Sequence, residues 1–128
     1  SKLESNESVY VEYDSQEAVY TKMFEELDEA IEILGRNTTL PAEAWSRYDG
    51  VYYGNIAQWL KYANSLKLRM AMRISYAAPD EAERIVKEAL SGENGGVIES
   101  NADNAQIPTQ NNPFRVVMYD YNGGDSRV

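Results

Sequence analysis

Residues 55–78 predict one long helix whose apolar side chains fall on more than one side. Leu68 and Met72 form a second apolar stripe beside a longer main one. The main stripe consists of Ile56, Trp59, Ala63, Leu66, Met70, Ile74 and Ala77. A helix of this length spans roughly 35 Å. Because one apolar stripe needs one neighbour, two stripes predict a helix packed between two others, as in stacked helical repeats.

Four basic residues, Lys61, Lys67, Arg69 and Arg73, are interspersed among these apolar positions. Their aliphatic stems can lie along a packing surface while the charges reach acidic groups on a neighbouring helix. The alternative is an anion-binding site on this helix. We favour intramolecular charge matching, because the segment before it is strongly acidic.

A first helix is predicted over residues 15–35. Asp14 and Glu17 have the spacing of a capping box, and Gly35 or Asn37 supplies the stop. One apolar stripe runs along it, and the other faces carry acidic residues. The stripe consists of Tyr20, Phe24, Leu27, Ile31 and Leu34.

A third helix is predicted over residues 80–91, where Pro79 favours the start and Gly92 the end. The tail, residues 92–128, is rich in Asn and Gly, and only residues 114–119 suggest a short strand. We therefore predict a mainly α fold of helix hairpins with irregular loops, in which residues 1–128 are part of one domain.

Composition excludes several classes of function. The 128 residues contain neither cysteine nor histidine, so disulfides, Cys/His zinc sites and His-based catalytic triads are ruled out. A net charge of −9 argues against nucleic acid as a partner. No apolar run is long enough to span a bilayer, and no secretory signal is visible at the start.

Three stretches resemble one known family. They are "YDSQEAVYTKMFEELDEAIEIL", "YDGVYYGNIAQWLKYANSLKLRMAMRIS" and "GGVIESNADNAQI". Together they are similar to the SusD/RagB family of outer-membrane nutrient-binding lipoproteins, in its SusD-like branch. The resemblance covers nearly the whole chain.

This resemblance implies tetratricopeptide-like helix pairs whose irregular loops carry ligand-binding surfaces. It also implies a surface-exposed, lipid-anchored protein of the outer membrane that is not an enzyme. Family members capture glycans, or peptides in some cases, and work with a SusC-like TonB-dependent transporter. They are several times longer and carry a signal peptide and a lipidated cysteine, so we expect this chain to be an internal fragment.

Two aromatic clusters are candidate oligosaccharide-binding sites, because sugars stack on aromatic rings and bond to amides and carboxylates. The first, in the turn before the long helix, consists of Trp45, Tyr48, Tyr52 and Tyr53, with Asp49 among them. The second, in the tail, consists of Asn111, Asn112, Tyr119, Asp120, Tyr121 and Asn122. The competing interpretation is that these rings pack against the helices and the amides cap turns.

No metal site, cofactor or catalytic residue is predicted. Asp120, Asn122 and Asp125 have part of the spacing of a calcium loop, but Gly124 occupies the fifth position of that loop. The acidic residues cluster on a helix face open to solvent, where a carboxyl has no cause for the raised pKa that a glycosidase acid needs.

The leading hypothesis is non-catalytic binding of oligosaccharides at the cell surface, for import through a TonB-dependent transporter. One alternative is a helical-repeat scaffold for protein–protein interaction. Another is a peptide-binding relative with the same fold.

Overall fold

The computed structural model describes residues 14–107, which contain three α-helices and two short 3₁₀ turns. The helices are α1 (Gln16–Arg36), α2 (Ile56–Ile74) and α3 (Pro79–Leu90). The 3₁₀ turns lie at Ala42–Ala44 and Asn101–Asp103. No strand occurs between residues 14 and 107, so this part of the chain confirms the predicted mainly α fold. The strand predicted at residues 114–119 lies outside the described residues.

Helix α2 is the central element, with α1 and α3 packed against it. Ile31 of α1 meets Leu60 and Ala63 of α2 in a small core, which Leu27 and Leu34 extend. On the side of α3, the buried residues are Ala82, Ile85 and Ala89. The prediction that this helix lies between two neighbours is confirmed.

A third side of α2 is covered by residues 92–104, here called the return segment, which runs back along the helix. Gly95 approaches the Leu60 side chain so closely that a Cβ at position 95 would lie 3.2 Å from the Cβ of Leu60. Hydrogen bonds hold the segment along its length. They join Asn64 Nδ2 to the carbonyls of Asn94 (2.6 Å) and Gly96 (2.9 Å), Ile98 N–H to Ser65 Oγ (2.8 Å), and Gln58 Nε2 to the Ala102 carbonyl (3.0 Å).

The buried face of α2 differs from the predicted stripes. Its buried residues are Leu60, Ala63, Asn64, Lys67, Met70 and Ala71. Leu66 and Met72, which the pattern placed on packing surfaces, are exposed. The pattern was wrong here because it counted apolar residues only, whereas Asn64 and Lys67 are buried with hydrogen-bonding partners that offset their desolvation.

Lys67 joins all three helices. Its side chain is 3 % exposed, and Nζ lies 2.6 Å from Asp28 Oδ1 of α1 and 2.9 Å from Glu88 Oε1 of α3. The two carboxylates replace the water that burial removes from the ammonium group. For this residue the predicted intramolecular charge match is confirmed.

The predicted capping box at the start of α1 is wrong. Ser15 is the N-cap, and its Oγ accepts a hydrogen bond from the Ala18 N–H at 3.2 Å. A serine hydroxyl at this position satisfies a backbone donor that the helix itself leaves free. Asn37 caps the other end of α1, and Asn55 caps the start of α2.

None of the helices between residues 14 and 107 combines the length and apolar character that crossing a bilayer requires.

Candidate functional site

The segment that connects α1 to α2 is organised around one carboxylate. We call residues 42–54 the aromatic turn. Asp49 Oδ1 accepts hydrogen bonds from the N–H groups of Val51 (3.0 Å) and Tyr52 (3.1 Å). Asp49 Oδ2 accepts from the Gly54 N–H (2.9 Å) and from Trp59 Nε1 (2.7 Å). These four bonds fold the turn and fasten it to the first turns of α2.

The same contacts determine the ionisation of Asp49. Partial burial opposes the charged form, but the hydrogen bond from Trp59 and those from Gly54, Val51 and Tyr52 outweigh it. The net effect lowers the pKa of Asp49 below its ordinary value of 3.8. A catalytic acid needs the opposite shift, so Asp49 is suited to hold the turn and not to donate a proton.

We expect the substitution Asp49→Asn to destabilise the fold by about 1–2 kcal/mol. The amide nitrogen that replaces Oδ2 is a donor, so it can accept neither the hydrogen bond from the Gly54 N–H nor the one from Trp59 Nε1. The pH dependence should change as well. Since the folded pKa lies below 3.8, ionised Asp49 stabilises the fold above that pH, and the stabilisation is lost as pH falls through the folded pKa. Urea unfolding between neutral pH and pH 3 measures both effects. Equal loss of stability on acidification in wild type and variant would contradict the assignment.

Tyr52 belongs to the aromatic turn, but its side chain is buried and does not lie on the surface of the turn. Its side chain is 5 % exposed, and its hydroxyl donates to the carbonyl of Asp103 at 2.8 Å. The ring packs edge-on against Trp59 with centroids 5.0 Å apart, and Trp59 packs similarly against Tyr62 at 5.7 Å. Burial, followed by the charges of neighbouring acidic groups, raises the pKa of the Tyr52 hydroxyl above 10.0. Because the side chain is buried, Tyr52 offers little surface to a ligand in the described part of the chain, and it packs against Trp59 of the cleft lining. Contact between Tyr52 and a ligand stays a prediction.

Beside Trp59 lies an open cleft of about 470 Å³, here called the aromatic cleft. Trp45 (52 % exposed) and Tyr48 (82 % exposed) present their rings on one side of it. The end of α1 and the start of α2 form the rest. The described residues that line it are Ile33, Leu34, Asn37, Leu40, Trp45, Tyr48, Asp49, Ile56 and Trp59.

The structure brings together some of the predicted site residues and separates others. Trp45 and Tyr48 share the cleft, whereas Tyr53 is exposed but does not line it. The residues of the second cluster, Asn111, Asn112, Tyr119, Asp120, Tyr121 and Asn122, lie outside the described residues, as does Asp125.

Sequence reasoning missed the contribution of α1 to the cleft. The sequence predicts only a helix stop at Asn37 and no role for Leu40. The sequence signal for this contribution is the short link between the end of α1 and the aromatic turn. The turn begins only six residues after α1 ends at Arg36. A connection this short keeps the turn beside the end of the helix that precedes it.

The cleft offers stacking surfaces and few titratable groups. Asp49 is the one carboxylate among the described residues of the lining, and it accepts four hydrogen bonds from the protein. Among residues 14–107, no three acidic side chains lie close enough together to hold a metal ion. The arrangement can bind a ligand with flat apolar surfaces and a few polar groups.

Between residues 14 and 107, the fold and the cleft together define a class: packed helix hairpins with exposed aromatic side chains on the turn that connects α1 to α2. Comparison with known proteins is consistent with this class. The sequence profile of the SusD-like family, described as SusD and RagB outer membrane lipoprotein, matches residues 1–128. The chain belongs to the SusD-like family, and the outer membrane is its location.

Solved structures of SusD homologues share the fold. One from Bacteroides uniformis is 47% identical, with a TM-score of 0.65 over 77% of this chain. One from Bacteroides thetaiotaomicron is 40% identical, with a TM-score of 0.74 over 90% of this chain. A structure described as a chitin-binding protein is 42% identical, with a TM-score of 0.57 over 73% of this chain.

The chain spans only part of these proteins. It covers 20% of the Bacteroides uniformis chain, 23% of the Bacteroides thetaiotaomicron chain and 19% of the chitin-binding protein. Comparison with curated proteins gives no match.

Proposed function

We propose that this chain is part of a non-catalytic cell-surface protein that binds oligosaccharides for import. The observation that carries the proposal is the aromatic cleft, where Trp45 and Tyr48 expose their rings beside the polar groups of Asn37 and Asp49. Aromatic rings stack on the apolar C–H faces of sugars, and an amide can both donate to and accept from hydroxyl groups.

The residues of the cleft would have different roles. Trp45 and Tyr48 supply the stacking surface, and Asn37 bonds to hydroxyl groups. Asp49 positions the turn through its hydrogen bonds to the backbone and to Trp59. Tyr53 and the tail cluster at residues 111–122 belong to the proposal as further contacts, on the evidence of their residue types alone.

Membership of the SusD-like family supports a role in oligosaccharide binding and import. A relative described as a chitin-binding protein shares the fold, which makes oligosaccharides of N-acetylglucosamine the first ligands to test. Delivery to a SusC-like TonB-dependent transporter is the step that we propose to follow binding. Members of an outer-membrane lipoprotein family are located where such a transporter operates.

The test is calorimetric titration of the full-length protein with chitohexaose, maltohexaose and cellohexaose. We expect saturable binding of at least one of them. Trp45→Ala and Tyr48→Ala should each weaken that binding about tenfold, because each removes one stacking surface. Tyr76→Ala is the matched control, since Tyr76 is 100% exposed and does not line the cleft. No saturable binding to any of the three, or equal losses in the control, would overturn the proposal.

Peptide capture is the second candidate function, because the cleft also exposes the aliphatic side chains of Ile33 and Leu40. Such side chains suit an apolar peptide residue better than a sugar hydroxyl. A peptide library screened beside the oligosaccharides separates the two functions. Binding of apolar peptides with no response to any saccharide would favour peptide capture.

A further inference from the structure

The four basic residues of α2 fall into two pairs with different surroundings. Lys67 is paired with Asp28 and Glu88, and Lys61 Nζ lies 3.0 Å from Asp103 Oδ2. Arg69 and Arg73 are exposed, and neither forms an ion pair with a carboxylate among residues 14–107. Charge matching within the described chain therefore accounts for the two lysines and leaves the two arginines available.

These two arginines border a second groove between α1 and α2, which we call the basic groove. It has a volume of about 260 Å³, and none of the described residues that line it is acidic. The lining consists of Tyr20 and Met23 from α1 and Leu66, Arg69, Met70 and Arg73 from α2. Met23 and Leu66 are exposed there, so apolar surface lies beside two guanidinium groups that no carboxylate of residues 14–107 pairs with.

We propose that the basic groove docks an acidic protein segment that carries a bulky aliphatic side chain. Arg69 and Arg73 are four residues apart on one helix, so their guanidinium groups project from the same face one turn apart. Each can bind a carboxylate through two parallel hydrogen bonds. The two charged residues among the described lining are both arginines, and this positive charge favours an acidic occupant.

The apolar part of the groove favours protein over saccharide. Methionine side chains adapt their shape to varied aliphatic groups, and Met and Arg are both enriched where proteins contact one another. Among the lining residues that the structure describes, none has an amide side chain and Tyr20, partly buried, is the one aromatic residue. The basic groove therefore differs in chemistry from the aromatic cleft, and the docking of a protein segment does not depend on the proposed oligosaccharide binding.

Fluorescence anisotropy with a labelled synthetic peptide tests this proposal on the full-length protein. The probe is an amphipathic helical peptide with Glu and Leu at helical spacing. Its two companions replace every Glu with Gln or every Leu with Ala. An oligogalacturonate serves as an acidic saccharide without aliphatic side chains. The protein variants are Arg69→Glu/Arg73→Glu and the control Arg47→Glu, because Arg47 is exposed and does not line the groove.

We expect saturable binding of the Glu/Leu peptide that weakens as salt is added. Arg69→Glu/Arg73→Glu should lower the affinity at least about tenfold, since two attractions become repulsions, and Arg47→Glu should change it less than about twofold. Both companion peptides should bind more weakly than the probe. Binding of whichever oligosaccharide the wild type binds should be unchanged by the double variant, which separates this proposal from the preceding one.

Three results would overturn the proposal. One is the absence of saturable peptide binding by the wild-type protein. Another is equal affinity in the double variant and in Arg47→Glu. The third is oligogalacturonate binding as tight as that of the peptide and equally sensitive to the double variant, which would assign the groove to acidic saccharides instead.

Discussion

Replacing Gly54 with alanine should destabilise the fold by about 3 kcal/mol and abolish ligand binding at the aromatic cleft. Gly54 has φ +86, a backbone conformation that residues with a Cβ rarely adopt. A Cβ at this position would lie 2.3 Å from the Ala42 carbonyl oxygen and 3.0 Å from the Ser46 nitrogen. Both atoms belong to the backbone, so the whole aromatic turn must shift to relieve the clash.

Gly50→Ala is the matched control for this substitution. Gly50 belongs to the same turn, yet a Cβ there meets no atom within 4 Å. We expect the control to change the free energy of unfolding by less than about 0.5 kcal/mol. Urea unfolding monitored by circular dichroism measures the stability, and titration with an oligosaccharide that the wild type binds measures the cleft. If the two variants were equally stable, close packing at Gly54 would not be what holds the turn.

Replacing Lys67 with methionine should destabilise the fold by about 2–3 kcal/mol. Removing one partner from a buried ion pair usually costs about 3–5 kcal/mol, because the remaining charge is left without compensation. Here the remaining carboxylates, Asp28 and Glu88, are 52% and 39% exposed, so water recovers part of that cost. Arg69→Met on the same helix is the control, and it should lie within about 0.5 kcal/mol of the wild type.

A triple variant distinguishes lost charge from lost packing. Adding Asp28→Asn and Glu88→Gln to Lys67→Met removes the two charges that Lys67 paired with, and most of the lost stability should return, less the exposed ion pair between Arg84 and Glu88. Thermal melting of the variants gives the comparison. A triple variant no more stable than Lys67→Met alone would show that the charges are not the cause.

The ionisation of Lys67 predicts how the wild type responds to alkali. Burial disfavours its ammonium form, but the hydrogen bonds and charges of Asp28 and Glu88 outweigh burial and raise the pKa of Lys67 above 10.5. The stabilisation is therefore complete below pH 10.5 and is lost as pH rises through the folded pKa.

The helices were predictable because their signals are local and repeated. The stripe of α1 and the Pro79 start of α3 each follow from residues close together in sequence. What failed was the identity of the buried face of α2. Asn64 and Lys67 are polar, and their partners lie 21 or more residues away, so no local pattern marks them as core residues.

The sequence predicts that aromatic residues are grouped in the turn, but it does not predict which of their rings are exposed. The composition of the turn pointed to Trp45, Tyr48, Tyr52 and Tyr53 alike. Which rings face outward depends on Asp49, whose bonds to Trp59 and to the turn bury Tyr52 and leave Tyr48 exposed. That choice depends on contacts between the turn and α2, which residue types alone do not specify.

The return segment has a consequence for the order in which the chain folds. Its hydrogen bonds to Asn64 and Tyr52 join residues 30 and 51 positions apart, whereas those of α2 itself join near neighbours. Closing such long loops costs conformational entropy, and most of the groups that anchor the segment are aligned only once α2 is helical. We therefore expect the segment to dock after the helix that it covers, and during synthesis the residues of α2 emerge from the ribosome before those that shield one of its sides.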